Sequence, residues 1–111
     1  MKHVMIADKS LLAGDEVIDL LIEYAALLGQ ESTADSIDVH AFGADGDEVM
    51  ATFLLNGGTA IVAETTTSSL PSPDNAKAEQ YLHSRIAHLR GQRTASAEDI
   101  AGVGVWDASD D

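Results

Sequence analysis

Cysteine is absent from the 111 residues, and that removes disulfides, thiolate metal sites and cysteine nucleophiles together. Basic residues are scarce: six Lys and Arg stand against nineteen Asp and Glu, a formal charge of −13. Such a chain repels nucleic acid and anionic membrane, so neither is an expected partner; a basic protein partner is permitted. No run approaches the roughly 20 apolar residues needed to span a bilayer, and "MKHVMIADKS" lacks the apolar stretch of a signal peptide. The expectation is a soluble cytoplasmic protein.

Sequence motifs for catalysis are missing as well. Gly57-Gly58 lies between two strand-like segments rather than before a helix, which argues against a phosphate loop. Ser10, Ser68, Ser69 and Ser72 have no nucleophile-elbow context. His83 and His88 are five apart, one more than the spacing that aligns two imidazoles on a helix face. The acidic stretch 44–48 has no terminal Glu of a calcium loop and reads as a solvated turn. No cofactor and no metal site is expected.

What is present is a folded chain, 45% apolar, with clear periodic segments and room for one core. "GDEVIDLLIEYAALLG" is a helix with Asp15 at its cap, Glu16 and Asp19 near the positive end of its dipole, and Gly29 as its stop. Its apolar residues leave only a narrow polar stripe at Asp19, Glu23 and Ala26, so the helix should be largely enclosed. A second helix starts with Ser72 as cap and Pro73 at its first position. It carries the stripe Ala78, Leu82, Ile86, Leu89 and ends near Arg90 before Gly91.

Between the helices, residues 38–64 read as three strands joined at Asp45-Gly46 and Gly57-Gly58, both favoured pairs for two-residue hairpin turns. The expected fold is α+β, a two-layer sandwich in which a three-stranded antiparallel meander is flanked in sequence by two helices. "HVMIA" at 3–7 is either a short strand or an extended lead-in. The domain covers 1–93, and 94–111 is an acidic tail with five acids and no base, expected to be mobile, with Trp106 as a candidate anchor.

Two-residue turns set a register in which Phe42 faces Val49, His40 faces Ala51 and Asp38 faces Phe53. One sheet face then carries Phe42, Val49, Phe53, Leu55 and Val62; the other carries Ile37, Val39, Ala41, Met50, Leu54 and Ile61. Both faces are apolar and two helices cover one. The first set is therefore the candidate interface, most simply of a homodimer packed sheet to sheet. A slip of one residue at either turn would exchange the faces of a strand. The same register gathers His40, Asp38 and Glu64 at one margin, where carboxylates could orient and polarise an imidazole; these are the weak catalytic candidates.

Three functions follow from these features. The first is a non-enzymatic interaction module, a small acidic homodimer or adaptor using an apolar sheet face. The second is an acidic inhibitor or immunity-type protein masking the basic groove of a partner, through Asp15, Glu16, Asp19 and Glu23 and the turn at 45–48. The third is a small-ligand-binding protein or enzyme with its pocket around His40.

Overall fold

The computed structural model describes the backbone of residues 1–102 and the side chains of residues 1–91. The fold is α+β, with two helices on one face of an antiparallel sheet that is not a closed barrel. The sheet has five strands rather than three. They are β1 (Lys2–Ile6), β2 (Lys9–Ala13), β3 (Asp35–Phe42), β4 (Glu48–Leu55) and β5 (Ile61–Thr65), in spatial order β4-β3-β2-β1-β5. Helix α1 (Asp15–Gln30) follows β2, and α2 (Ala76–Gly102) follows β5.

The segment at 3–7 thus resolves into the first strand of a hairpin, with Val4 opposite Leu11 and Ile6 opposite Lys9. Ala7, at φ 55, turns the chain between them. The expected meander is also rearranged. The Gly57-Gly58 turn does form, with Gly58 N donating to Asn56 Oδ1 at 2.7 Å and Asn56 N to Thr59 Oγ1 at 3.0 Å. It delivers the chain to β1 instead of back along β4, so Ile61 lies opposite Ile6 and Ala63 opposite Val4. Between the two halves of the sheet, β2 and β3 share a single paired position, Leu12 with Phe42.

The β3–β4 register differs by one residue from the expected one. Gly43 N donates to Asp47 O at 2.8 Å, which encloses a three-residue loop at 44–46 with Gly46 at φ 89. That is the other common hairpin closure, with glycine taking the left-handed position. Ala41 therefore faces Val49, Val39 faces Ala51 and Ile37 faces Phe53. The slip flips β4 alone: Phe53 and Leu55 turn into the core at 3% and 0% exposure, while Met50 and Leu54 turn out.

Under the helices, Val4, Ile37, Val39, Phe53 and Leu55 meet Ile18, Leu21 and Leu28 of α1 and Leu82, Ile86 and Leu89 of α2 in one core. The enclosure expected of α1 is observed, with seven buried residues along it. Gly14, not Asp15, occupies its N-cap position, and Asp15 meets the terminal ammonium at 3.3 Å. Gly29 does not stop the helix. Its backbone lies against that of Gly57, and a Cβ at Gly29 would come within 3.1 Å of Gly57 Cα, which fixes the end of α1 on the β4–β5 loop.

The helices run parallel, since Glu16 pairs with His83 at 3.0 Å and Glu23 with Arg90, both pairs 67 positions apart. Helix α2 begins at Ala76, later than Pro73, with Asp74 Oδ1 accepting from Ala76 N at 2.9 Å. It also continues through Gly91 to Gly102. Trp106 and the rest of 103–111 lie outside the described residues.

Candidate functional site

Alternation along the strands places Met5, Leu12, Phe42, Met50, Leu54 and Val62 on the face away from the helices. Met50, Leu54 and Val62 are 54%, 61% and 53% exposed, and the other three are half-buried among their neighbours. Of the five residues expected to form the apolar interface, Phe42 and Val62 lie on this open face. Phe53 and Leu55 are buried on the opposite one, and Val49 is on that helix-covered side near the end of the hairpin. Met5, Leu12, Met50 and Leu54 complete the patch. For Met50 and Leu54 the signal in the sequence is the alternation along β4, shifted by one residue; Met5 and Leu12 lie in strands of five residues, too short for periodicity to place.

Polar groups on this face are answered within it. Thr52 Oγ1 donates to Asp38 Oδ1 at 2.7 Å, His40 Nδ1 lies 3.7 Å from Glu48 Oε2, and His3 Nδ1 lies 3.5 Å from Glu64 Oε1. His3 Nε2 also meets the Ser10 hydroxyl. The register therefore separates Glu64 from His40: Glu64 is on β5 beside His3, and the neighbour of His40 is Glu48. Asp38 remains on the face of His40, two residues away. Among the described residues, no group of three or more His, Asp or Glu side chains is placed to hold a metal ion.

The backbone of His40 has a partner that periodicity does not reveal. Strand β2 is too short to continue beside β3 at this point, and Asn75, 5% exposed, takes its place. Its Oδ1 accepts from His40 N at 2.7 Å and its Nδ2 donates to His40 O at 2.8 Å. One side-chain amide thus pairs with both peptide groups as a neighbouring strand would. A hollow of about 400 Å³ opens here, lined by Asp38, His40, Met50, Asp74 and Lys77.

A second polar cluster ties the two helices to β3. Tyr24 Oη and Tyr81 Oη each donate to Asp35 Oδ2 at 2.5 Å, Arg85 Nε reaches Tyr24 Oη at 3.5 Å, and the two rings meet edge to face at 6.5 Å. Burial pushes the Asp35 carboxyl up, but the bonds from Tyr24, Tyr81 and the Ser36 amide, with Arg85 nearby, more than offset this and hold it below the usual carboxylate value. The bond to Asp35, followed by burial, drives the Tyr81 phenol well above its ordinary value; burial and then the same carboxylate raise Tyr24.

These shifts set two limbs of stability. The Asp35 contribution is present above the unfolded carboxylate pKa of about 3.9 and is lost as pH falls through the lowered folded value. The phenol contribution is present below about pH 10 and declines as pH rises toward the raised folded values. Melting temperature should therefore fall at both extremes. Tyr81→Phe should shorten the alkaline decline and move the acid limb toward higher pH, as followed by circular dichroism melts across a pH series.

With this geometry in view, the chain can be set beside known proteins. No family model, curated protein or solved structure matches it. The chemistry of its own surfaces carries the functional reading. Among the described residues no helix is long and apolar enough to cross a membrane.

Proposed function

We propose that this chain is a non-enzymatic interaction module that self-associates through the open face of its sheet. The observation that carries the reading is the exposure of Met50 and Leu54 on β4 and of Val62 on β5, each more than half exposed, on the same face as Met5, Leu12 and Phe42 and opposite the helices.

Charge favours a second copy as the occupant. Copies of a chain with nineteen acids and six bases repel one another, so they can meet only where acids are few and answered. On this face Asp38, Glu48 and Glu64 each have a partner in Thr52, His40 and His3.

A basic partner gripping α1 finds less support. Asp15, Glu16, Asp19 and Glu23 are each engaged by a group of this chain: the terminal ammonium, His83, Lys2 and Arg90.

Light scattering over a dilution series tests the reading. The full chain should move from the mass of two copies to one on dilution. Leu54→Lys and Val62→Lys should each be monomeric throughout while keeping the far-ultraviolet spectrum of the parent. One-chain mass up to millimolar concentration, or dimers that survive both substitutions, would overturn it.

A further inference from the structure

Three side chains on the open face of the sheet stand in the order of a nucleophile, a base and an orienting acid. His3 on β1 lies opposite Glu64 on β5, and Ser10 on β2 is its diagonal neighbour, opposite Met5. Ser10 Oγ meets His3 Nε2, while the other ring nitrogen, Nδ1, lies 3.5 Å from Glu64 Oε1. The two contacts use opposite sides of the imidazole. A carboxylate beside Nδ1 favours the tautomer that carries its proton there, so Nε2 keeps a lone pair for the Ser10 hydroxyl. That is the arrangement in which a serine oxygen loses its proton as it attacks. Glu64, expected beside His40, thus meets the imidazole of a different strand. Among the described residues, Ser10 carries the one hydroxyl bonded to a histidine.

The group is also reachable. The His3 ring is 36% exposed and the Glu64 side chain 58%, and Ser10 is half-buried. Strands β2 and β3 pair only at Leu12 and Phe42, so no paired strand lies beside Ser10 on that side. Instead Ser10 borders a cleft of about 1020 Å³ between the β1–β2 hairpin and β4. Leu11, Met50, Phe53 and Leu54 give the cleft an apolar lining, which suits the hydrocarbon part of a small acyl group.

We propose that Ser10 is a nucleophile that accepts an acyl group from an activated carboxylic ester, with His3 as its base and Glu64 positioning the ring. As Oγ attacks the carbonyl carbon, its proton passes to His3 Nε2. The Oγ–C bond forms, the ester C–O bond breaks, and the departing alcohol takes that proton. The acyl group is left as an ester on Ser10. The step is a single transfer onto the protein, so it adds a modification site to the interaction module and does not rest on its self-association.

The probe is p-nitrophenyl butyrate, used on the full chain at a dilution where light scattering gives the mass of one copy, so that a covered face cannot hide the site. The expected result is a burst of p-nitrophenolate approaching about one equivalent per chain, with a butyryl ester that tandem mass spectrometry places on Ser10. Ser10→Ala should remove both. His3→Ala should slow the burst by ~100-fold or more, and free imidazole should restore part of the rate. Glu64→Gln should slow it with the melting temperature and the mapped residue unchanged. Circular dichroism establishes that each variant folds, and the adduct mapped on the parent decides where one does not. Release no faster than that caused by free N-acetylhistidine at equal concentration would overturn the proposal. So would an adduct on Lys9 or another amine, or a burst that survives in folded Ser10→Ala or His3→Ala.

Discussion

Phe53→Ala should cost the fold about 3–5 kcal/mol, whereas Leu54→Ala, one residue along, should change monomer stability by no more than about 0.5 kcal/mol. The two side chains differ in exposure from 3% to 61% because they lie on opposite faces of β4. Removing the Phe53 ring leaves a cavity between β4 and the helices, since Leu55, Ile37 and their neighbours are already packed and can only partly collapse into it. Removing Leu54 in the monomer leaves nothing but water. Urea titration of both variants at a concentration where the chain is monomeric gives the comparison. Under the register with two-residue turns the result would be reversed, with Leu54 in the core and Phe53 outside, so the pair reads the closure at Gly43 and Asp47 directly.

Asn75→Ala should cost about 2–4 kcal/mol, an unusual penalty for a polar residue just ahead of a helix. The substitution leaves His40 N–H and C=O without the amide that now meets both. Each unanswered buried group costs about 1–3 kcal/mol, and partial access of water from the adjoining hollow sets the lower end of the range. Asn75→Asp keeps an acceptor for the N–H but turns a carboxylate oxygen toward the carbonyl, so it should rescue little. An alanine at Asp74, whose carboxylate accepts one exposed bond from Ala76 N, should cost less than half as much. Hydrogen exchange at the His40 amide would show the local opening, faster in Asn75→Ala than the loss of global stability alone accounts for.

The parts of this fold that follow from spacing within one segment were legible, and those that depend on a distant partner were not. Helix α1 shows its buried arc in its own sixteen residues, and the alternation of Ile37, Val39 and Ala41 against Asp38 and His40 marks β3 and its faces correctly. The fate of β4 turned on a single loop. Asp45-Gly46 suits a two-residue turn and a three-residue loop with a left-handed glycine about equally, and only packing of Phe53 and Leu55 on the helices separates them. Strand β2 is five residues long, too short for periodicity to distinguish, and β5 carries no mark saying that its partner is β1. The expected gathering of His40 with Glu64 failed for that reason, while the idea of an uncovered apolar face survived with altered membership. Asn75 was invisible because its bonds join a side chain to backbone 35 positions away. The Tyr24, Tyr81 and Asp35 cluster likewise draws one residue from each of three elements.

Pairing of β5 with β1 also has a consequence for the order of assembly. During synthesis the β1–β2 hairpin leaves the ribosome early, yet the strand that flanks β1 on its outer side, Ile61–Thr65, is made nearly sixty residues later. Helix α1 and the β3–β4 hairpin are complete before then, joined to the first hairpin through Leu12 and Phe42 alone within the sheet. The nascent chain therefore holds a half-built sheet with an open β1 edge, and the step that closes it is a long-range one, with the loop-closure entropy that makes such steps slow. Until β5 arrives, that edge is the place where a chaperone or another nascent copy could pair with it.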